Sequence, residues 1–144
     1  MKISLILQKK GSAEVATISP EISVRDAVQA LSDKKIGALV VSPGNGEIAG
    51  ILSERDIVGA LGRSGASVLD QRVSDLMTTN VSTCTKDDTA IGVLGRMTRG
   101  RFRHLPVVDA DNRMIGILSI GDVVKARLEE MEAENRAMAE MLGG

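Results

Sequence analysis

The sequence predicts an α/β (α+β) fold built from two similar units, and three observations support that prediction. Shifting the 144-residue chain by 66 positions aligns residues 15–60 with residues 81–126 without a gap, and 11 of the 46 pairs are identical. Each copy alternates short apolar runs with amphipathic stretches, a pattern typical of mixed strand and helix. Two copies are too few for a solenoid, which needs about three or more repeats. We therefore expect each copy to fold as β-α-β-β-α and the two copies to pack with pseudo-twofold symmetry.

The predicted strands occupy matching places in the two copies. In the first copy they are Val15–Ile18, Ala38–Val41 and Ile48–Leu52, and in the second Val81–Cys84, His104–Val108 and Met114–Leu118. Turn-forming residues at 43–46 and 109–112 separate the last two strands of each copy. The last two strands of each copy are therefore expected to form a hairpin.

Each copy also contains two predicted helices. Apolar residues at positions i, i+3, i+4 and i+7 predict helices from Val24 and from Ala90, with Ser23 and Thr89 in the N-cap positions. A second helix is predicted to begin at Ser53 in the first copy and at Ser119 in the second copy. The helix of the second copy overruns its counterpart and continues through Glu129–Leu142 without Gly or Pro.

Flanking segments complete the predicted organisation. Residues 3–9 and 73–77 are expected to form short helices that lead into the two copies, and residues 62–72 are expected to form a linker. The chain therefore divides into a first repeat with its N-terminal helix and linker (1–72) and a second repeat with an extended C-terminal helix (73–144).

Composition excludes several classes of function. The chain has one Phe and no Trp or Tyr, so it lacks the aromatic platform on which single-stranded nucleic acids stack. A net charge of −1 argues against a broad phosphate-binding surface. The single cysteine, Cys84, excludes an internal disulfide and a cysteine-based zinc site. No long apolar run or signal peptide is evident, so we expect a cytoplasmic protein with no membrane or nucleic-acid partner.

The element that can carry chemistry is Gly-Ile-Leu-Ser-x-x-Asp, which occurs at Gly50–Asp56 and again at Gly116–Asp122. It lies where a strand ends and a helix begins. A serine at the N-cap with an acid three residues later is a capping box, and this purely structural interpretation stays open. The same geometry suits a nucleotide, because a helix N-terminus attracts phosphate and a carboxylate accepts from vicinal hydroxyls.

Two further patterns have alternative interpretations. Arg99, Arg101, Arg103 and His104 form a basic cluster that is either a solvated corner or a clamp for polyphosphate. The last helix carries a heptad-like seam of Val124, Leu128, Met131, Asn135, Met138 and Leu142, with steps of 4, 3, 4, 3 and 4. This seam either joins two subunits or packs on its own domain.

The chain resembles a tandem pair of cystathionine-β-synthase-type (CBS) domains, the Bateman module, of the small stand-alone bacterial type. The resemblance rests on the doubled Gly-Ile-Leu-Ser-x-x-Asp and on the strand Ile36–Val41 with its counterpart Arg103–Val108, and it covers about residues 13–128. Members of that family sense adenosine-containing ligands, including AMP, ADP, ATP, S-adenosylmethionine and, in some small members, NAD(H).

The resemblance implies that the serine of each motif meets phosphate and the aspartate meets ribose. One cleft between the repeats would use Ser119 and Asp122, with adenine walled by Thr17, Ile18, Pro20, Gly37 and Ala38. The other would use Ser53, Arg55 and Asp56, with Thr83, Cys84, Arg101, Arg103, His104 and Leu105 around it. The arginines make this second cleft the more cationic, so we expect it to prefer ligands with more phosphate charge.

The predicted function is therefore a non-catalytic sensor that binds an adenine nucleotide (AMP, ATP or NAD(H)) and signals to a separate regulated protein. The resemblance implies a homodimer, a flat disc of two CBS pairs, with no catalytic cofactor and no metal. Two alternatives stay open: a nucleotide-hydrolysing enzyme, and a structural dimerisation scaffold in which both Ser-x-x-Asp elements only cap helices.

Overall fold

The computed structural model describes residues 1–11 and 16–143. The helices are α1 (Ile3–Lys10), α2 (Val24–Lys34), α3 (Glu54–Ser64), α4 (Val73–Leu76), α5 (Ala90–Gly100) and α6 (Ile120–Gly143), with a 3₁₀ helix at Gly65–Asp70. The strands are β1 (Thr17–Ile18), β2 (Ala38–Val41), β3 (Gly50–Ser53), β4 (His104–Val108) and β5 (Met114–Ser119). The predicted mixture of helix and strand is confirmed.

The chain forms two compact units, named here the β1–α4 unit and the α1–α6 unit. The β1–α4 unit contains β1 to α4 and the turn Asp109–Ile115. Its sheet has the order β1-β2-β3, with β1 parallel to β2 and β2 antiparallel to β3. All four residues of β2 are buried because both faces of this central strand are covered. The core is formed mainly by Val24, Ala27, Leu31, Leu39, Val41, Leu52, Ile57, Ala60, Val68 and Val73.

The α1–α6 unit contains α1, α5, β4, α6 and the part of β5 from Gly116 onward. Strands β4 and β5 form a two-stranded sheet. The core of this unit consists of Ile3, Ile6, Cys84, Ala90, Val93, Met97, Leu105, Val107, Leu118, Val123 and Ala126. Aliphatic side chains fill both cores, as the near absence of aromatic residues requires.

Serine and threonine begin the helices where the sequence predicts caps. The Ser23 hydroxyl accepts from the Asp26 N–H (3.1 Å) and the Thr89 hydroxyl from the Gly92 N–H (3.2 Å), which satisfies N–H groups that have no partner within their helices. The helices end at Lys35 and Arg101, both in the left-handed conformation. The predicted starts of α2 and α5 are confirmed.

Several predicted boundaries are corrected by the structure. The strand predicted at Ile48–Leu52 is β3, Gly50–Ser53. Of the predicted strand Val81–Cys84, only Cys84 pairs with a strand, through a single parallel bridge to Val107. In the first copy the Val40 N–H donates to the Ala16 carbonyl, but Pro106 takes the matching place in β4 and has no N–H to donate to Ser82, so the ladder is not extended. The Thr83 carbonyl accepts from the Arg96 guanidinium (2.6 Å). In the other copy the strand begins at Thr17, and Val15 lies outside the described residues. The predicted linker 62–72 is mostly helical, because α3 runs to Ser64 and the 3₁₀ helix follows it.

The N-terminal helix packs with the second repeat rather than with the first. Helix α1 belongs to the same compact unit as α5 and α6, whereas α4, which leads into the second repeat, belongs to the β1–α4 unit. The backbone N–H of Ile3 donates to the Asp88 carbonyl (2.9 Å), and the N–H of Ala90 donates to the Met1 carbonyl (2.9 Å). The division of the chain at 72/73 stays a prediction that concerns the sequence repeats. The compact units divide the chain differently, because α1 lies in the unit that contains α5 and α6.

Candidate nucleotide site

The first motif copy forms a complete capping box at the start of α3. The Ser53 hydroxyl accepts from the Asp56 N–H (3.3 Å), and Oδ2 of Asp56 accepts from the Ser53 N–H (3.0 Å) and from the Ser53 hydroxyl (3.0 Å). Strand β3 delivers Ser53 to this position because it ends at that residue. Both side chains are half-buried. The serine and the aspartate therefore stand together at a helix N-terminus.

The second copy repeats this geometry at the start of α6. Oδ2 of Asp122 accepts from the Ser119 N–H (2.8 Å), and the Ser119 hydroxyl accepts from the Asp122 N–H (3.2 Å). The structural interpretation of Ser-x-x-Asp as a helix cap is confirmed in both copies. Capping does not use up either carboxylate, because two carboxylate oxygens offer about four acceptor positions.

A lysine from outside the repeat contacts the second aspartate. Nζ of Lys10, at the end of α1, lies 2.9 Å from Oδ2 of Asp122 and 2.9 Å from the carbonyl of Ile117. Burial alone would raise the pKa of Asp122, but the hydrogen bond from the Ser119 N–H and the Lys10 ammonium together outweigh burial and hold that pKa below its ordinary value. Asp122 is therefore a paired anion at neutral pH.

The same region of the α1–α6 unit contains a surface pocket of about 290 Å³. Lys9 and Lys10 of α1 line it together with Asp122, Lys125 and Glu129 of α6. Cationic and anionic side chains are thus interspersed along its wall. The carboxylate of the second motif opens toward this charged pocket.

A hydroxyl group takes the corresponding place beside the first aspartate. Oγ1 of Thr78 lies 3.4 Å from Oδ1 of Asp56, at the long end of the hydrogen-bonding range. The segment after α4 carries Thr78 to this point, where its N–H and carbonyl both pair with Ile51 of β3 (2.8 and 3.0 Å). The contact around Asp56 is therefore neutral, whereas that around Asp122 is ionic.

Close packing explains the glycine that opens each motif. A Cβ at Gly50 would lie 2.7 Å from the Thr78 carbonyl oxygen and 2.8 Å from the Met77 sulfur. A Cβ at Gly116 would lie 2.9 Å from a terminal methyl of Leu7 on α1. In both copies the segment that precedes the other repeat lies directly over the motif strand, so a side chain would collide with it.

Some of the predicted wall residues lie beside the motif of their own repeat. Ala38 is directly opposite Ser53 across the β2–β3 pair, and the Glu54 N–H donates to the Gly37 carbonyl (3.0 Å). In the other unit the Ile120 N–H donates to the Arg103 carbonyl (2.8 Å), which places the start of β4 against Ser119. The predicted sharing of these walls with the motif of the other repeat stays a prediction.

The remaining predicted site residues differ in exposure. Thr17, Arg55, Arg101 and Arg103 are exposed, and Ile18, Pro20, Gly37, Thr83 and His104 are half-buried. Ala38, Cys84 and Leu105 are buried, the last two within the core of the α1–α6 unit. Burial, with a smaller contribution from Asp88 and opposed by Arg96, raises the pKa of the Cys84 thiol to about 11. Cys84 is thus a packed apolar side chain.

The described residues contain neither a metal-binding cluster nor a membrane-spanning helix. Among residues 1–11 and 16–143, no group of three or more His, Cys, Asp or Glu side chains is placed to hold a metal ion. In the same part of the chain, no helix combines the length and the apolar character needed to cross a membrane.

Comparison with known proteins identifies the class to which this fold and these motifs belong. The family model for the CBS domain matches the chain twice, at residues 11–63 and 73–129. The chain belongs to the CBS domain family and carries a tandem pair of these domains.

Individual relatives agree with this assignment. The chain is similar to the mitochondrial CBS domain-containing protein CBSX3 of Arabidopsis thaliana, with 37% identity over 99% of this chain and 72% of that protein. It is also similar to the crystal structure of the CBS-domain protein ATU1752 from Agrobacterium tumefaciens, with a TM-score of 0.83, 44% identity and coverage of 88% of this chain and 92% of that one. The structure of CBSX2 in complex with AMP matches with a TM-score of 0.73, 28% identity and coverage of 90% and 98%.

Two residues that contact the motif aspartates, Lys10 and Thr78, were not predicted from the sequence. Both lie outside the aligned repeats 15–60 and 81–126, so comparison of the two copies gives no signal for them. Lys10 stands in a lysine pair just before Gly11, at the end of α1. Such a pair at a helix C-terminus is ordinarily explained by the helix dipole, which conceals the contact with Asp122.

Proposed function

We propose that this chain is a non-catalytic sensor that binds adenosine-containing nucleotides, such as AMP, ATP or NAD(H), at its two motif copies. In each copy the serine would contact phosphate and the aspartate would accept from the ribose hydroxyls. The clefts would form between the repeats, as the family resemblance implies. The occupied state would be transmitted to a separate regulated protein.

The observation that carries the proposal is the arrangement at the two helix N-termini. Each copy holds a serine hydroxyl and an aspartate carboxylate within one turn of a helix, where the dipole and the N–H groups favour an anion. The cap on each aspartate is made through Oδ2. Acceptor capacity therefore remains for a ribose diol, and the AMP complex of the similar protein CBSX2 supports an adenosine ligand.

We further propose that the two sites discriminate by phosphate charge. Arg55 is exposed one residue before Asp56, whereas Gly121 takes the matching place before Asp122. Exposed Arg101 and Arg103 add positive charge at the start of β4. We expect Arg101→Ala and Arg103→Ala to weaken the binding of ATP more than that of AMP, and an equal loss for both ligands would contradict discrimination by phosphate charge.

A ligand screen tests the central proposal. The purified chain is mixed with AMP, ATP, NADH or S-adenosylmethionine, with GMP and CMP as controls, and its melting temperature is followed. A ligand that binds only the folded state stabilises it by about 2.7 kcal/mol at a hundredfold excess over Kd. We expect an upward shift with at least one adenosine ligand and none with the controls. If every adenosine compound leaves the melting temperature unchanged, the sensor proposal is wrong.

A structural scaffold is the second candidate, because both capping boxes form within the protein alone. It predicts the negative result in that screen. A nucleotide-hydrolysing enzyme would instead convert ATP or NADH during incubation, which chromatography of the nucleotide detects. We expect the nucleotide to be recovered unchanged, since the site offers no base–nucleophile pair.

Assembly is proposed from the family resemblance, and location from the sequence pattern. We propose a homodimer of two CBS pairs in a flat disc and a cytoplasmic location. Sedimentation equilibrium measures the first, and fractionation of the source cells tests the second.

A further inference from the structure

Helix α6 has an apolar seam, from Val124 to Leu142, that the described residues of the chain leave uncovered. Its apolar members have exposed fractions of 39% for Val124, 55% for Leu128, 48% for Met131, 59% for Met138 and 84% for Leu142. The opposite face is used differently, since Val123 and Ala126 are buried in the core of the α1–α6 unit. All residues from 131 to 143 are exposed. The interpretation that the seam packs on its own domain therefore receives no support.

The spacing of the seam matches a two-stranded coiled coil. In a heptad the step from an inner a position to the next d is three residues, and the step from d to the next a is four. Leu128, Asn135 and Leu142 then occupy a positions, and Val124, Met131 and Met138 occupy d positions. The helix spans 24 residues, about 36 Å at the α-helical rise. It is long enough to present the whole seam to a partner.

We propose that this seam docks on the same seam of a second copy of the chain, parallel and in register. Asn135 is the polar residue at an a position, and a single Asn at such a position specifies register and oligomeric state. In the parallel arrangement Asn135 faces its own counterpart, so each amide finds a donor and an acceptor. An apolar partner of different sequence would leave that amide unsatisfied.

The flanking charges favour the parallel arrangement. Position g of one helix then lies beside position e of the next heptad on the other helix, which brings Arg127 next to Glu132 of the second copy. Arg127 already contacts Glu130 (2.8 Å), but a guanidinium presents five donors and can serve both carboxylates.

The antiparallel arrangement is unfavourable for the same residues. When the same seam is paired in opposite directions, e meets e and g meets g. Glu132 then faces Glu132 of the second copy, and Glu134 faces Glu134. The antiparallel arrangement also places Asn135 opposite Met131 of the second copy. Both the charges and the buried amide therefore select the parallel pair.

Disulfide cross-linking of the full chain tests the proposal. Asn135→Cys places a thiol at an a position, where two parallel helices bring the Cα atoms within the range of about 4.4–6.8 Å that a disulfide needs. The matched control is Glu140→Cys on the outer face of the same helix. Native Cys84 is 2% exposed and gives little background. With copper phenanthroline as oxidant, we expect Asn135→Cys to run mostly as a covalent dimer and Glu140→Cys to remain mostly monomeric.

Other outcomes overturn the proposal. Equal cross-linking of the two variants would mean that the seam makes no specific contact. A mixture of Met131→Cys and Asn135→Cys chains that cross-links more strongly than either alone would establish the antiparallel pair. These positions are exposed, so folding is retained, and circular dichroism verifies it. The result is independent of ligand binding, and the experiment is done without nucleotide.

Discussion

The two copies of Gly-Ile-Leu-Ser-x-x-Asp are alike in sequence and cap geometry but differ in what surrounds the aspartate. Asp56 receives the hydroxyl of Thr78 at 3.4 Å, and Asp122 receives the ammonium of Lys10 at 2.9 Å. The same seven-residue pattern thus carries a neutral neighbour in the β1–α4 unit and an ionic one in the α1–α6 unit.

This difference shows that the environment of a repeated motif is determined by segments outside the repeat. Helix α1 supplies Lys10 to one copy, and the segment after α4 supplies Thr78 to the other. Each segment also crosses the motif strand over its glycine. Two sites of one sequence can therefore differ in the charge that lies beside the aspartate.

The largest expected effect concerns the two glycines. Gly50→Ala would force a methyl group to 2.7 Å from the Thr78 carbonyl oxygen, a backbone atom that is held by the Ile51 pairing. Gly116→Ala would meet only the end of the Leu7 side chain, which can rotate away. We expect urea denaturation to show a loss of about 2–3 kcal/mol for Gly50→Ala and about 1 kcal/mol or less for Gly116→Ala.

The two alanine variants serve as controls for each other, because both replace a glycine in a strand of the same motif. Equal losses of unfolding free energy would contradict the view that Gly50 packs against backbone and Gly116 against a flexible side chain. A larger loss at Gly116 would reverse the comparison.

A smaller effect is expected from Lys10→Met. Removing the ammonium lets the pKa of Asp122 rise toward its ordinary value, which carboxyl NMR titration detects. Because the pKa of Asp122 is lower in the folded chain than in the unfolded one, this carboxylate stabilises the fold at pH values above the ordinary pKa. That stabilisation is lost as the pH falls through the lowered pKa of the folded state. The ion pair is partly exposed, so we expect a loss of about 0.5–1 kcal/mol near pH 7 that vanishes in acid.

The neighbouring Lys9→Met variant is the matched control, since Lys9 pairs with Glu129 rather than with Asp122. It should leave the titration of Asp122 unchanged. A similar change of the Asp122 pKa in both variants would show that general charge, rather than the contact with Lys10, determines that pKa.

Much of the fold could be predicted from local patterns. The bounds of β2 and β4 and the caps at Ser23, Ser53 and Thr89 follow from alternation of apolar residues and from capping chemistry. The strand predicted at Val81–Cys84 is reduced to a single bridge at Cys84, because Pro106 of β4 has no N–H to continue the ladder. The assignment of α1 to the first repeat followed chain order, whereas packing joins α1 to α5 and α6.

The candidate site was predictable in its motif residues and less so in its surroundings. Ser53, Asp56, Ser119 and Asp122 meet in the predicted pairs. Burial of Leu105 in the core could not be inferred, because a short apolar strand can face either a core or a ligand. The contact between Lys10 and Asp122 joins residues 112 positions apart and depends on tertiary packing alone.

The most direct test of the account is calorimetry with AMP on the wild-type chain and on the Asp56→Asn and Asp122→Asn variants. Asparagine retains a side-chain oxygen for the cap but lacks the charge that strengthens the ribose contact. We predict that each substitution abolishes or weakens binding at its own motif, by about 1.5–3 kcal/mol, and spares the other. If both variants keep the wild-type stoichiometry and affinity, the two aspartates are helix caps and nothing more.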